Sequence, residues 1–373
     1  MRFHSITAKM TSLLVVIMAV LGISSCAHHS NDEEMQIGFI DRSGRMVLGP
    51  SSDYLPFHSE GLIPLRIHHH LREKYGYMDE TGRIVVKPRF DWAGGFSEGL
   101  APVQMEKKWG YVDKTGRMVI EPRFDEARWF SEGLAVVGVG RSRYITCDHY
   151  GYVDNKGSLV IKPIYKQALE FRNGVASVCV IQDRRMRWLY IDRRGHETVG
   201  GLEGRESFSE GLAPVRIGEW PNDSYGYADM SGKLVIKPRF FRAKPFSEGL
   251  AVVQVANGKY GFIDRTGKMV IPPPFFRAED FSEGLAMVGI PKGQWGLGYV
   301  DKQGHVAIKP GEFTEAGPFK EGLAAVRPLD GKWGYIDKSG KMVIPPRYDE
   351  TWGFEGGLAA VSIRPEGPSE RRH

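Results

Sequence analysis

The chain has 373 residues, 42% of them hydrophobic and 25% charged, the proportions of a soluble globular protein. Its 50 basic and 45 acidic residues give a formal net charge of +5. That balance is too mild to argue for nucleic acid, no nucleic-acid motif accompanies it, and no nucleic-acid partner is expected.

Read in chain order, residues 1–25 are expected to be an address rather than part of the fold. Arg2 and Lys9 supply a positive start, and Leu13 to Leu21 is an apolar run too short for an ordinary membrane span. The run ends in Ile23-Ser24-Ser25-Cys26, small residues before a cysteine, which resembles the bacterial lipobox. There the signal peptide is removed and Cys26 becomes the lipid-modified first residue; a plain secretory signal with an incidental cysteine is the alternative. Lipidation of Cys26 makes the membrane the first expected partner, since each buried CH2 contributes about 0.8 kcal/mol. Losing residues 1–25 removes Arg2 and Lys9 and no acid, so the charge of +5 falls by two, to +3. Residues 26–36 then read as a polar acidic tether. Such tracts resemble the export signals of surface lipoproteins, and Ala27 in place of Asp points by the same analogy to the outer membrane. The expected location is the bacterial cell envelope, lipid-anchored, at the outer membrane or cell surface.

Residues 37–363 repeat one unit. In its clearest copy, Trp109-Gly110-Tyr111-Val112-Asp113 reads as a short strand, rich in aromatic and β-branched residues. Asp113-Lys114-Thr115-Gly116 has the chemistry of a type I turn with a bulge. Arg117-Met118-Val119-Ile120 is the return strand, which Pro122 should end because it cannot donate to a ladder. Arg123 to Phe130 reads as a connector anchored by Phe124 and Phe130. Ser131-Glu132-Gly133 makes a second turn, and Leu134 to Val137 a third strand. The turn aspartate recurs at Asp41, Asp79, Asp113, Asp154, Asp192, Asp229, Asp264, Asp301 and Asp337, nine units spaced by 34 to 41 residues. A period in that range signals a solenoid, propeller or array whose units bury their apolar faces against one another.

The motifs Trp109-Gly110, Trp333-Gly334 after Lys332, and the variants Tyr75-Gly76, Tyr225-Gly226 and Tyr260-Gly261 resemble the WG (or KWG) repeat of bacterial proteins. With P-R-F and F-S-E-G-L-A following in order, the resemblance covers roughly residues 36–363. It implies a β-repeat array in secreted or envelope proteins and no enzymatic reaction. The fifth unit departs: Leu189 stands where the W-G glycine belongs, and K-P-R-F is missing after Thr198, so a local defect is expected there.

The fold class expected is all-β, a tandem array of nine three-stranded meanders. Whether it closes stays open. The array begins in mid-unit at Ile37 and ends on Gly357 to Val361, complementary pieces that would complete one blade of a closed propeller-like ring. Propellers typically have four to eight blades of four strands, which favours an open twisted array. Residues 364–373 read as a polar tail.

Catalytic motifs are absent: no H-E-x-x-H, no G-x-S-x-G, no P-loop, no G-x-G-x-x-G opening a helix. No metal or cofactor is expected, for His68-His69-His70 alternates across a strand, with His58 nearby, and no Cys or carboxylate stands at zinc spacing. Cys147 and Cys179 occupy comparable places in successive units, and pairing and separate thiols both remain open. Loop length varies most between the third strand and the next W-G strand, and stacking gathers those loops on one rim. The rim carries the candidate binding residues Arg141, Arg143, Tyr144, Arg184, Arg185, Arg187, Trp220 and Trp295, a composition favoured at binding surfaces. The W-G aromatics themselves are expected in the core. The function expected is a non-enzymatic, lipid-anchored envelope protein that binds a protein or an anionic glycan through this surface. Two alternatives stand beside it. One is a glycan-active enzyme, for which the repeated Glu98, Glu132, Glu210, Glu248 and Glu283 are only formal candidates because a catalytic pair should be singular. The other is a structural spacer.

Overall fold

The computed structural model describes residues 35–69, 72–141, 147–198, 206–218, 223–292, 294–311, 313–329 and 331–364. These residues form strands and turns and contain no helix. The D-x-x-G turn behaves as its sequence predicts. Asp113 Oδ1 accepts from the Thr115 backbone NH at 3.0 Å, the Thr115 hydroxyl at 2.6 Å and the Arg117 NH at 3.0 Å, and Gly116 closes the turn at a φ of +86°. In Asp41 the Ser43 hydroxyl, then Arg45, hold the carboxyl down at about 2. The Ser or Thr hydroxyl two residues on pulls Asp79, Asp113, Asp229, Asp264 and Asp337 in the same direction.

A carboxyl whose folded pKa lies below its unfolded value contributes stability above the unfolded value and loses it as the pH drops through the folded one. The urea midpoint should therefore be level near neutrality and fall between about pH 4 and about pH 2. Replacing Thr81, Thr115 and Thr266 together by Val should shrink that fall. An identical acid profile in the triple variant would separate the turn hydroxyls from it.

The segment read as a connector is itself a strand. In one sheet Glu126–Ser131, Leu134–Arg141, Cys147–Asp154 and Leu159–Tyr165 lie side by side, all antiparallel. Each blade thus takes its first two strands from the end of one sequence unit and its last two from the start of the next. Among the described residues six of the nine sheets have four strands and three have three. Antiparallel order sorts the connections by end. The S-E-G and D-x-x-G turns share one end of the ring, here the turn end. The hairpins between second and third strands share the other, the hairpin end, with the P-R-F links.

The main rung of each described blade junction is an aromatic pair, in which the residue after W-G on the third strand of one blade meets the Phe before S-E-G of the next. Tyr111 meets Phe130 at 4.9 Å between ring centroids, Tyr152 meets Phe171 at 4.8 Å, and Tyr299 meets Phe319 at 4.9 Å, each pair steeply inclined. Such pairs contribute about 1 kcal/mol beyond their buried area. The rung tyrosines donate to main-chain carbonyls in or beside the first strand of the next blade, as Tyr111 does to Arg128 at 2.7 Å and Tyr152 to Leu169 at 2.8 Å. The W-G aromatics Trp109 and Tyr75 are buried, and Trp333, Tyr225 and Tyr260 pack half-buried against the core, as expected.

The W-G glycine has a steric cause. Trp109 pairs with Phe124 and Tyr111 with Ile120, so the fourth strand spends two extra residues and its backbone arches over Gly110. A Cβ there would lie 2.3 Å from the Ile120 oxygen and 2.8 Å from the Pro122 nitrogen. The same arch covers Gly76, Gly151, Gly226 and Gly334. In the fifth unit the sheet ends at Arg185–Asp192, and no fourth strand crosses it among the described residues. Leu189 and the missing K-P-R-F are therefore one departure, since without the arch a side chain fits.

The ring closes. Gln36–Asp41 pairs antiparallel with Leu358–Ile363 over six residues, giving a final sheet of Met46–Ser51, Gln36–Asp41, Leu358–Ile363 and Glu350–Thr351. The chain is a nine-bladed β-propeller, so of the two arrangements the complementary half-units allow, the closed ring is the one formed and the open twisted array is not. The physical reason is burial at the seam: Phe39, Ile40, Ala359 and Val361 are fully enclosed there, and an open array would wet them and leave two sheet edges unpaired. The seam repeats the other blade junctions. Arg347 donates to the Gly44 carbonyl at 2.6 Å, as Arg89 does to Gly116 at 2.5 Å.

Candidate functional site

The hairpin end carries the variation between units. Val175–Gln182 and Arg185–Asp192 pair over eight residues and close through Asp183 and Arg184, both at positive φ (51° and 63°), the signature of a type I′ turn. Leu100–Met105 and Lys108–Asp113 pair over six, so the longer hairpin stands out by roughly 7 Å at ~3.3 Å per residue. Its tip gathers three of the candidate residues. Arg184 and Arg185 are exposed, and Arg187 is half-buried with its Nη1 donating to Gln182 Oε1 at 2.6 Å.

The other candidates are not all brought to this tip. Arg141 lies in the strand pair of the adjacent blade, opposite Cys147, and Trp295 lies in a blade further round, opposite Pro291. Arg143, Tyr144 and Trp220 lie outside the described residues, as do Cys26, the signal segment 1–25, most of the tether and all of the tail after Arg364. Cys179 is buried, its Sγ 3.8 Å from the Val180 carbonyl oxygen. His68 and His69 end the strand Leu62–His69, and no group of three metal-binding side chains occurs among the described residues. His58 fills the Phe position of the seam rung instead, edge-on to Phe39 at 6.0 Å and buried, its Nε2 without a partner.

The repeated glutamates have a structural task. Glu98 sits at a φ of 55°, which few non-glycine residues adopt, and its carboxylate accepts from the Gly133 NH of the next blade at 2.8 Å. Glu132 does the same for Gly174 at 2.8 Å, Glu210 for Gly249 at 3.0 Å, Glu248 for Gly284 at 2.9 Å and Glu283 for Gly322 at 3.0 Å. Lys302 and Lys338 brace Glu248 and Glu283, each at 3.1 Å. The lysine before W-G is structural too: Lys108 reaches Asp125 at 2.9 Å and Lys332 reaches Asp349 at 2.6 Å.

Sequence reasoning missed two features. The aromatic after W-G, not the W-G aromatic, is the fully buried rung; its recurrence as Tyr or Phe was the available signal. The second is Arg128, held by Glu126 at 3.2 Å and Glu170 at 3.7 Å and lying over the Tyr150 ring, whose hydroxyl donates to Glu126 at 2.6 Å. Arg128 also donates to the Ala168 carbonyl at 3.1 Å and so bridges adjacent blades, and Lys244 repeats the bridge to the Ala278 carbonyl at 3.4 Å and to Glu279 at 2.6 Å.

The family profile described as "WG containing repeat" matches residues 37–67, 75–109, 109–140, 150–180, 225–260, 260–290, 298–333 and 333–364. No curated protein matches the chain in sequence. Among solved structures, BamB from Moraxella catarrhalis is similar at 13% identity and a TM-score of 0.38, over 91% of this chain and 97% of that one. A eukaryotic initiation factor is similar at 12% identity and a TM-score of 0.40, over 90% and 100%. AztD from Citrobacter koseri, in its apo form, is similar at 12% identity and a TM-score of 0.36, over 88% and 98%.

Proposed function

The chain belongs to the family of WG-containing-repeat proteins, and on that footing we propose that it is a non-enzymatic binding module of the bacterial envelope, anchored by a lipid on Cys26. Its surface for a protein or anionic glycan partner is the hairpin end. One observation carries this reading: the repeated carboxylates are spent on blade-to-blade hydrogen bonds, while the exposed Arg184 and Arg185 stand at the tip of a hairpin whose strands pair over eight residues. Arginine suits such a surface because its planar fork pairs with carboxylate and phosphate alike.

The test is capture of envelope components by the purified chain. Replacing Arg184, Arg185 and Arg187 by Ala should weaken capture about a hundredfold, with the far-ultraviolet circular dichroism unchanged, at about 1 kcal/mol for each of the three lost charged contacts. Capture equal to that of the parent chain would remove this hairpin from the binding surface. The anchor is tested separately, by the mass of the N-terminal peptide at Cys26.

A further inference from the structure

The most exposed large hydrophobic side chains among the described residues all lie at the hairpin end. Leu329 is 75% exposed, Ile164 60%, Phe241 58%, and Ile181 and Met186 57% each; the next, Leu159 at 50%, lies at the turn end. Scattered exposed hydrophobics are ordinary, and less exposed ones, Leu159, Val306, Ile84 and Val235 among them, line the turn end at the starts of the fourth strands; the hairpin end differs in holding the five most exposed, two of them side by side. Ile181 and Met186 are direct cross-strand partners, so they project from one face of the protruding hairpin, beside Arg184, Arg185 and Arg187 and a single acid, Asp183. Ile164 and Phe241 flank them, near the ends of the fourth strands of the two neighbouring blades. An apolar tip collared by arginine is the composition of an element that enters the boundary between headgroups and acyl chains.

The chain's own path points the same end toward a bilayer. Gln36–Asp41 is a third strand of its blade, and third strands run from the hairpin end to the turn end. The polypeptide therefore enters the ring at the hairpin end. About ten residues separate Gln36 from Cys26, no more than ~35 Å of chain in any conformation.

We propose that the ring docks hairpin end down on an anionic lipid bilayer, with Ile181 and Met186 in the interfacial layer and Arg184 and Arg185 against lipid phosphates. This rests on the lipid-anchored reading above and goes beyond it by giving the tip with Arg184 and Arg185 to the bilayer in place of a protein or glycan partner. The ring face carrying the S-E-G and D-x-x-G turns then points away from the membrane.

The experiment uses the full processed chain in vesicles of phosphatidylcholine and phosphatidylglycerol. Met186→Cys and, at the turn end, Lys156→Cys are spin-labelled one at a time in a Cys147→Ser background. Collision with a water-soluble nickel chelate should be about tenfold slower at position 186 than at 156, the factor for one large apolar side chain leaving water. It should recover toward the value at 156 on phosphatidylcholine alone. Equal collision rates at the two positions overturn the proposal. So does shielding of position 186 that disappears when the protein is diluted over many vesicles, for that marks contact between copies. The Cys26 acyl mass is read from the same sample. An acylated Cys26 with position 186 open to water overturns docking and leaves the anchor standing; an unmodified Cys26 removes the anchor, and shielding by added vesicles still decides docking.

Discussion

Gly110→Ala is expected to lower the unfolding free energy by about 3 kcal/mol or more, the scale of overpacking in a site that cannot relax. The added methyl would meet main chain, the Ile120 carbonyl at 2.3 Å and the Pro122 nitrogen at 2.8 Å, rather than the tip of a flexible side chain. Relief means lifting the fourth strand off the third, which breaks the pairing of Trp109 with Phe124 and of Tyr111 with Ile120. Gly99→Ala is the matched control. It adds the same methyl where nothing lies within 4 Å, but at a φ of +79°, so it should cost only about 1–2 kcal/mol of backbone strain. Urea unfolding of the two variants separates steric from conformational cost. If Gly110→Ala proves no worse than Gly99→Ala, the arching strand is not why this glycine is needed.

Breaking the seam should have the second large effect. A chain ending before Leu358 loses the six-residue pairing that joins its two ends and exposes Phe39 and Ile40, which the ring encloses completely. The truncated chain should scatter X-rays with a larger radius of gyration, and protease should cut first within residues 36–51, because a repeat array opened at one point frays from its new ends. The point variant Val361→Asp tests the same seam in a chain of full length. It buries an unpaired carboxylate between Gly38 and its neighbours and should cost roughly 3–5 kcal/mol. A truncated chain with the parent's radius and melting temperature would show that closure contributes nothing to holding the nine blades.

These two variants mark where sequence reasoning stops. The D-x-x-G turn could be read completely, because Asp113, Thr115, Gly116 and Arg117 satisfy one another within five residues. The departure of the fifth unit was also readable as two anomalies, at Leu189 and after Thr198. That they are one event was not, because the strand that forbids a side chain at the W-G glycine arrives about ten residues later and is out of register by two. Among the site candidates, Arg184, Arg185 and Arg187 come together because they are neighbours on one hairpin, whereas Arg141 and Trp295 are separated by the ring itself. The glutamates of S-E-G recur visibly, but their partners are glycine NH groups 35 to 42 residues away.

By itself the sequence determined what short-range chemistry can settle: nine β-units, their turns, their apolar faces, and two chain ends holding matching halves of one blade. Tertiary structure alone decided that the halves meet. Closure depends on the angle between successive blades summed over nine interfaces, and no local pattern encodes that sum; a small change at each junction turns a ring into an open coil. The same holds for the exposed Ile164, Ile181, Met186, Phe241 and Leu329. In the sequence they are scattered, and only the up-and-down order of the strands puts them at one end.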